Sequence, residues 1–511
     1  MKRFALVLAL ICVFIPVRAQ EEFDGQSCTS IMVGRAATTD GSVITSHTCD
    51  GRYRTWMQMA PGGVQPPGPA YILRGTLRTG GLFDGEGISL AGEVEEGITY
   101  SYRYLNTAYP CLNEKQLAFG ETTFGGPKEL MNDKAMFFIE ELQRMALQRC
   151  DNARDAIRLM GFMAEKYGYA DSGECLTVAD KNEVWQFEIV GVGKDKIGAA
   201  WVAKRIPDGH VGVSANIPRI GRIDRKDPDM MASDNVEQVA VDNGLWDGKG
   251  DFVFWRVFNC DYAKGKNYSD RELFILNYFA PSLGLNSDMD EIPFSVEPEH
   301  KVDIREVMAL FRETYEGTAI DMCQNVKMIH KGDTIVSPIA NPWMSTATRN
   351  TLNYLAPGTV DFHRTVAVAW CAYSHVTQLR NWLPDGIGGI CWVSVDNPAQ
   401  SPRIPVFCGT TELPEEFNTC GQKKYDPNCA LWRFRKANKL GTVQWQRTKG
   451  LFNDEVLRLE SLAFDGLPAL ADEYASNPGC LDAYTNYIYT EAVQAWQALE
   501  EKLWLTFGMG F

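Results

Sequence analysis

Short apolar-rich runs separated by turn residues characterise the chain around positions 28–50. The runs "CTSIMVGR" from Cys28 and "GSVITSHTCD" from Gly41 have the length of β-strands, and Thr39-Asp40-Gly41 lies between them. An Asp-Gly pair tolerates the left-handed backbone that a tight turn needs. The pattern therefore predicts a β-hairpin whose first strand starts at Cys28.

Apolar residues at three-to-four spacing predict two helices in the next part of the chain. The segment "PKELMNDKAMFFIEELQRMALQRC" begins with Pro127, and "ARDAIRLMGFMAEKYG" ends on Gly168. Proline is favoured in the first turn of a helix and glycine just after the last. Both segments are therefore predicted to be helical over their quoted lengths.

Strand patterns return after the helical pair. They comprise "ECLTVAD" and "EVWQFEIVG", joined by a tight turn at Lys181-Asn182, then "AAWVAKRI", "HVGVSAN", "TVAVAWCAY" and "GGICWVSVD". From about Leu431 the pattern is helical, and the tryptophans of "TVQWQ" and "AVQAWQALEEKLW" are predicted to pack in the core, with packing on a partner subunit as the alternative. Strands, a helical pair, more strands and terminal helices predict an α+β fold in which helices cover sheets.

The first nineteen residues have the pattern of an export signal. Lys2 and Arg3 precede an apolar run at residues 4–17 that is too short to span a membrane, and Val17-Arg18-Ala19 fits a signal peptidase site. We therefore predict a signal peptide at 1–19 and an exported protein, periplasmic or secreted. The rest of the sequence contains no apolar stretch of spanning length, so no membrane span is predicted.

The composition of the chain limits which binding partners and cofactors are expected. The 511 residues carry a formal net charge of -15, which makes nucleic acid an unfavourable partner. The scattered histidines and the absence of a Cys-x-x-Cys pair argue against a metal site, and no glycine-rich nucleotide pattern suggests a cofactor. Of the 14 cysteines, Cys420 and Cys429 are the first candidates for a disulfide. Whether the chain forms a homo-oligomer stays open.

Cys28 has two interpretations. Cleavage between Ser27 and Cys28 would give this residue a thiol and a free α-amine, whose ordinary pKa near 8 makes it a usable base at neutral pH. One residue would then supply both nucleophile and proton acceptor. Alternatively, Cys28 is a buried or disulfide-bonded cysteine in the first strand.

Several segments together resemble the dipeptidase A family of bacterial cysteine dipeptidases, which is grouped with penicillin V acylase and bile salt hydrolase among the N-terminal-nucleophile hydrolases. The segments are "CTSIMVGRAATTDGSVITSHTCD", "LNEKQLAFGETT", "ECLTVADKNEVWQFEIVG", "AAWVAKRIPDGHVGVSANIPRIGRID" and "YSHVTQLRNWLPDGIGGICWVSVDNPAQSPRIPVFCG". The resemblance runs in order from Cys28 to about Gly409. It implies an αββα sandwich, removal of everything before the cysteine, and amide hydrolysis through an acyl-enzyme.

The resemblance and the helical pattern after about Leu431 together predict how the chain is organised. A short propeptide would cover residues 20–27 and the catalytic domain, with insertions, residues 28–430. Residues 431–511 would form a helical C-terminal extension packed on the core.

The resemblance also assigns catalytic roles. It makes Cys28 the nucleophile and Asp50 the carboxylate that hydrogen-bonds near the cysteine amine and sulfur. Asn216 in "SANIP" would donate from its side chain to the oxyanion, and the backbone N–H of Thr123 would be the second donor. Taken alone, Asp50 also fits an ordinary strand-closing aspartate and Asn216 a turn former.

Four further residues are candidates for substrate binding. Glu121 would hold the free amine of a dipeptide, although a surface strand carboxylate is an equal alternative. His47 stands where the acylases carry an arginine, so either the imidazole donates instead or the local positive charge comes from elsewhere. The late active-site arginine of the acylases corresponds to Arg349 or Arg364, and the sequence does not decide between them.

The sequence therefore predicts an exported cysteine dipeptidase whose partner is a dipeptide or small amide. The alternatives are an N-acyl amide hydrolase of the penicillin V acylase or bile salt hydrolase type, and a non-catalytic relative similar to the secernins. An exported binding protein with a disulfide-pinned Cys28 is a further alternative.

Overall fold

The structure is a computed structural model, and it describes residues 27–77, 87–260, 267–422 and 424–508. The predicted signal peptide lies outside the described residues, as does the predicted propeptide up to Gln26. Within the described residues, none of the helices combines the length and the apolar character needed to cross a bilayer.

The described residues form twenty-one strands. They are β1 Ser30–Val33, β2 Val43–Asp50, β3 Gln58–Ala60, β4 Gly63–Val64, β5 Ala70–Arg74, β6 Ser89–Val94, β7 Tyr100–Ser101, β8 Tyr104–Asn106, β9 Leu112–Asn113, β10 Ala118–Thr123, β11 Glu174–Ala179, β12 Val184–Val190, β13 Ala200–Ile206, β14 Val211–Ser214, β15 Met230–Ala232, β16 Ser295–Val296, β17 Lys327–His330, β18 Asp333–Val336, β19 Cys371–Leu379, β20 Ile390–Val395 and β21 Ile404–Phe407.

Twelve α-helices lie in the same described ranges. They are α1 Ile139–Arg149, α2 Ala153–Tyr167, α3 Val236–Asp242, α4 Phe254–Phe258, α5 Asp270–Phe279, α6 Ile304–Leu310, α7 Thr346–Leu355, α8 Asp385–Gly388, α9 Ala430–Val443, α10 Trp445–Asp465, α11 Leu467–Tyr474 and α12 Cys480–Phe507.

Two large antiparallel sheets form the centre of the fold. The first has seven strands in the order β16-β14-β1-β2-β19-β20-β21, and the second has eight in the order β15-β13-β12-β11-β10-β9-β8-β3. Three pairs of short strands, β4 with β7, β5 with β6 and β17 with β18, form separate two-stranded sheets. The mixed architecture confirms the α+β prediction.

The two large sheets face each other through β2 and β10. A Cβ atom on Gly120 would lie 2.1 Å from the carbonyl oxygen of Ser46 on the opposite sheet, so this position requires glycine. The hydroxyls of Thr45 and Thr177 are 2.6 Å apart across the same interface. Helices α1 and α2 pack against the second sheet, while α9, α10 and α12 pack against the first.

Several predicted elements are confirmed. Strands β1 and β2 pair antiparallel, and Gly41 in the connection has φ 83°. Helix α2 ends at Tyr167, and the predicted Gly168 follows as its C-cap with φ 90°. Strands β11 and β12 pair through the predicted turn, in which the Asp180 carboxylate accepts from the backbone N–H groups of Asn182 and Glu183.

Three other predictions are wrong. The first predicted helix begins at Ile139 rather than Pro127, because Asn132 ties this segment to neighbouring loops through its backbone N–H, bonded to Ala170, and its side chain, bonded to Lys196. In "TVAVAWCAY" only the part from Cys371 is a strand. The predicted disulfide between Cys420 and Cys429 is not formed, and none joins any of the thirteen cysteines of the described residues to another.

The chain from Ala430 onward is helical, as predicted. Trp445 is 4% exposed and Trp496 fully buried, in accord with core packing, whereas Trp504 is half exposed. The hydroxyl of Thr485 in α12 donates to the carbonyl of Pro405 in β21 at 2.8 Å, so these helices contact the first sheet directly. The division into a catalytic domain and an extension stays a prediction.

Candidate active site around Cys28

Strand ends from both sheets meet around Cys28. Cys28 lies two residues before β1, and Asp50 is the last residue of β2. Asn216 follows β14, which pairs with β1 in the register Ser30 to Ser214. Antiparallel neighbours place the start of one strand beside the end of the next, so residues distant in sequence converge at one edge.

The backbone of Cys28 is held on both sides. Its N–H donates to Oδ1 of Asn216 at 2.9 Å, and its carbonyl oxygen accepts from Nη1 of Arg271 at 2.5 Å. Burial raises the pKa of the Cys28 thiol well above its ordinary value, and the nearby Glu121 carboxylate adds to that rise. In this unprocessed chain the sulfur is therefore a neutral thiol.

Asn216 occupies a left-handed backbone conformation with φ 68°, which asparagine tolerates better than most residues. Its Oδ1 accepts from the Cys28 N–H and from Arg271, and its Nδ2 donates to the carbonyl of Thr123 at 2.7 Å. The side chain thus connects the start of β1 to the end of β10. The structure brings together the predicted catalytic residues Cys28, Asn216 and Thr123.

Asp50 is fully buried and paired with one of the two candidate arginines. Its Oδ2 accepts from Nη2 of Arg364 at 2.5 Å and from the Thr48 hydroxyl at 2.7 Å. The same arginine reaches the residue before the nucleophile, because its Nη2 donates to the Ser27 carbonyl at 2.9 Å and its Nε donates to Oγ of Ser27 at 3.0 Å.

The described contacts of Arg349, the competing arginine, are with the chain around its own helix and with Phe362. Its guanidinium stacks at 3.8 Å on the ring of Phe362 and donates to the carbonyl of Met344 and the hydroxyl of Thr346 in its own region. The sequence alone does not show which of the two arginines belongs to the site. The structure brings Arg364 to Cys28, whereas the described contacts of Arg349 do not include the nucleophile.

Sequence reasoning missed Arg271, which is 5% exposed beneath the nucleophile. Besides the Cys28 carbonyl, it donates to the hydroxyl of Thr29 at 2.9 Å and to the carbonyl of Ala215 at 3.1 Å. Burial lowers its pKa to about 10, and the charge of Arg364 adds to the lowering. Arg271 stays protonated at neutral pH and supplies positive charge beside the nucleophile.

Sequence reasoning also missed Glu174, which joins Glu121 in what we call the acidic pair. Both carboxylates are buried, and the hydroxyl oxygen of Thr123 lies 2.9 Å from Oε1 of each, so they share its single donor hydrogen. Burial raises the pKa of Glu121 to about 7, and burial together with the Glu121 charge raises that of Glu174. Oε2 of each carboxylate has no hydrogen-bond partner among the described residues.

The ring of His47 is buried and neutral. Its Nδ1 lies 2.7 Å from the carbonyl oxygen of Glu121 and 3.2 Å from the backbone nitrogen of the same residue. Burial lowers the pKa of His47 to about 3, and the nearby His375 adds to the effect. His47 therefore does not replace the acylase arginine as a cation, and the positive charge comes from Arg271 and Arg364.

Cys28, His47 and Glu121 offer ligand atoms that lie within 4.8 Å of one another. A thiolate, an imidazole and a carboxylate form a donor set of the type that binds zinc. The same three groups also fit an active site in which Cys28 is the nucleophile and the neutral His47 ring and the Glu121 carboxylate lie beside it. This arrangement needs no metal ion.

A cavity of about 610 Å³ adjoins the site. Its lining includes Gly51 and Tyr53, one and three residues after Asp50, and the basic residues Arg435 and Lys439. The ring of Tyr53 packs edge-on against Tyr109 at 5.5 Å. The cavity provides space for a small molecule next to the strand end that carries Asp50.

Comparisons with known proteins agree on one family. A profile of peptidase family C69 matches residues 89–457. The chain is 25% identical over 489 residues to the "Probable dipeptidase" of Latilactobacillus sakei, covering 88% of this chain and 92% of that protein. It is 23% identical over 426 residues to "Probable dipeptidase B" of Lactococcus lactis subsp. lactis (strain IL1403), covering 80% and 79%.

A third relative extends the same pattern. "Dipeptidase A" of Lactobacillus helveticus is 21% identical over 455 residues, covering 82% of each chain. The residues matched by the family profile include Glu121, Asn216 and Arg364 but begin after Cys28 and Asp50.

Proposed function

The chain belongs to peptidase family C69, and on that premise we propose that it is an exported cysteine dipeptidase that acts through a thioester on Cys28. The residues before Cys28 are removed by self-cleavage, which frees the α-amine of the nucleophile. The protein then works in the periplasm or outside the cell. The stacked sheets with helices on their outer faces support an N-terminal-nucleophile αββα sandwich.

The contacts at the bond between Ser27 and Cys28 carry this proposal. The Arg364 guanidinium donates to the Ser27 carbonyl oxygen, which polarises the carbonyl and stabilises negative charge on that oxygen. The Cys28 N–H is oriented by Asn216. Both sides of one peptide bond are thus held by groups of the site, at the position where self-cleavage would create the active cysteine.

These contacts support self-cleavage by an acyl shift. The Cys28 sulfur attacks the Ser27 carbonyl carbon, its proton passes to the leaving nitrogen of Cys28, and the amide becomes a thioester. Water then hydrolyses the thioester, which releases the leader as a carboxylic acid and regenerates the thiol. No oxidant or metal takes part in either step.

Turnover repeats this chemistry on a dipeptide. The freed amine of Cys28, adjacent to Oδ1 of Asn216, accepts the thiol proton while the sulfur attacks the substrate carbonyl. An amide NH₂ has two donor hydrogens, so Nδ2 of Asn216 can donate to the oxyanion as well as to the Thr123 carbonyl. The first product leaves as an amine, and water releases the second from the thioester.

The acidic pair favours a free amine in the substrate. The buried Oε2 atoms of Glu121 and Glu174 have no hydrogen-bond partner among the described residues, and an ammonium group would supply donors for them. An N-acylated substrate brings no cation and would leave these oxygens unpaired, at a cost of about 1–3 kcal/mol for each group. This observation favours a dipeptidase over an N-acyl amide hydrolase.

A substrate panel tests the proposal. The purified protein is assayed with a dipeptide, its N-acetylated analogue, a penicillin-type amide and a bile-salt-type amide, beside a Cys28→Ala variant. We expect hydrolysis of the dipeptide at a kcat/KM at least about tenfold above that for the N-acetylated analogue, since charge-assisted hydrogen bonds contribute 1.5–3 kcal/mol, and no turnover by the variant.

Two outcomes oppose the proposal. Preference for the blocked amines would assign the chain to the N-acyl amide hydrolases. Absence of any turnover by protein that begins at Cys28 would favour a non-catalytic relative similar to the secernins.

A further inference from the structure

We propose that one edge of the Arg364 guanidinium, formed by Nε and Nη2, is the binding site for the free α-carboxylate of the substrate. This inference rests on the proposed function and names the second recognition element of a dipeptide. The first, for the free amine, is the acidic pair.

Ser27 occupies that edge in the unprocessed chain. Its hydroxyl oxygen accepts from Nε at 3.0 Å and its carbonyl oxygen accepts from Nη2 at 2.9 Å. Two oxygens on adjacent N–H groups of one guanidinium reproduce the bidentate arrangement that arginine makes with a carboxylate. Removal of the leader takes both oxygens away and leaves two donors pointing at the place from which Ser27 departed.

The remaining contacts of Arg364 keep this edge in position after cleavage. Nη1 donates to the carbonyl of Val366 at 2.9 Å and also to that of Thr365. Nη2 is paired with Asp50, and the side chain is 13% exposed. None of these partners belongs to the leader, so the guanidinium is oriented before any substrate binds.

The charges around Cys28 match a zwitterion. Arg364 and the buried Arg271 lie next to each other on the side of Asp50. The acidic pair belongs to the second sheet, through β10 and β11. A dipeptide carries an ammonium at one end and a carboxylate at the other, and the reacting carbonyl lies between them, where the Cys28 sulfur is.

The same geometry also limits the length of the peptide substrate. In a dipeptide, three bonds separate the reacting carbonyl carbon from the α-carboxylate carbon. A longer peptide would place an uncharged amide on the Arg364 edge and would lose the charge-assisted pair. Arg364 is therefore a specificity-determining residue for substrates with a free carboxylate directly after the scissile bond.

Selectivity between a dipeptide and its C-terminal amide tests the inference on the full chain. The ratio of the two kcat/KM values does not depend on how much of the preparation has been processed, because the enzyme concentration cancels. We expect a ratio of about 10 to 100 for the parent, given 1.5–3 kcal/mol for hydrogen bonds to charged groups. The ratio should fall close to one for Arg364→Gln and to an intermediate value for Arg364→Lys, which keeps the charge without the fork.

The surface variant Arg158→Gln is the matched control, since Arg158 is 61% exposed on α2 and pairs only locally with Asp155 among its described contacts. It should retain the parental ratio. If Arg364→Gln does not self-cleave, the inference is tested by Arg364→Lys, whose ratio of kcat/KM for the dipeptide to that for its amide should fall below the parental ratio.

The failures are distinguishable. A parental ratio near one, or equal losses on both substrates in both Arg364 variants, would overturn the inference and leave Arg364 as the residue that orients Asp50. If the parent hydrolyses neither substrate, the proposed function itself is wrong.

Discussion

The buried carboxylate of Glu121 makes the stability of the unprocessed protein depend on pH. Its pKa is raised from the ordinary 4.5 to about 7, with burial as the main cause. A raised carboxyl pKa means that the folded state binds the proton more tightly than the unfolded state. The associated stabilisation is present below pH 4.5 and is lost as the pH rises through 7.

The size of the effect follows from the two pKa values. At 1.36 kcal/mol for each pKa unit, the complete change is worth about 3.4 kcal/mol, of which about 2.5 kcal/mol falls between pH 5 and pH 8. Glu121 and Glu174 share the Thr123 hydroxyl and titrate as a pair. Glu121→Gln removes one carboxylate and its repulsion of the other, so it should abolish at least this part of the pH dependence.

Urea denaturation at pH 5 and pH 8 measures the effect in a Cys28→Ala background, which keeps the chain intact. A hydrogen bond with the Cys28 thiol lowers the pKa of Glu121, so the Cys28→Ala substitution raises this pKa further above its ordinary value. The background protein should lose about 2.5 kcal/mol more than the Glu121→Gln variant between the two pH values. The exposed Glu412→Gln serves as the control and should follow the background.

The opposite result is an equal pH dependence of the free energy of unfolding with and without Glu121→Gln. It would mean that the carboxylate is solvated or already compensated in the folded chain, and the assignment of an amine site to the acidic pair would lose its basis.

Three further variants test other parts of the site. Arg271→Gln should lower the free energy of unfolding by about 3 kcal/mol in urea titrations, because it removes a buried charge that satisfies several backbone oxygens; an unchanged midpoint would contradict the described packing. Gly120→Ala should cost more than about 2 kcal/mol by the same measurement, whereas Gly125→Ala, with no atom within 4 Å of its added Cβ, should cost less than about 1 kcal/mol. Asn216→Ala should lower kcat by about 100- to 1000-fold in the processed enzyme; a change confined to KM would argue against an oxyanion role.

The sequence predicts the strands of the site better than the contacts between them. The hairpin of β1 and β2 and the pair of β11 and β12 follow from alternation and turn residues, which are local properties. Cys28, Asp50 and Asn216 were found through resemblance, because a lone cysteine, a strand-closing aspartate and an asparagine after a strand have no distinguishing pattern. Their convergence depends on the register between β1, β2 and β14.

Glu174 and Arg271 illustrate what local reasoning omits. Glu174 opens the predicted strand "ECLTVAD", and only the pairing of Thr123 with Glu174 in the ladder of β10 and β11 brings it to Glu121. Arg271 is the second residue of a helix whose capping box, Ser269 and Glu272, is typical of any helix start. Its burial follows from the docking of α5 against β14, which no sequence periodicity encodes.

The first predicted helix shows the opposite error. Residues 127–138 have helical spacing and a favourable proline, yet only Lys128–Leu130 form a short 3₁₀ turn. The backbone N–H of Asn132 bonds to Ala170 and its side chain to Lys196, contacts from distant loops that outweigh local propensity.

Intact-mass analysis of the active protein, quenched in acid during turnover of a dipeptide, tests whether Cys28 becomes the first residue of the working enzyme. We expect a polypeptide whose first residue is Cys28, together with a fraction heavier by one acyl residue that hydroxylamine removes. Fully active protein that still carries Ser27 and the residues before it would show that Cys28 acts without a free α-amine, since that amine would then be locked in a peptide bond.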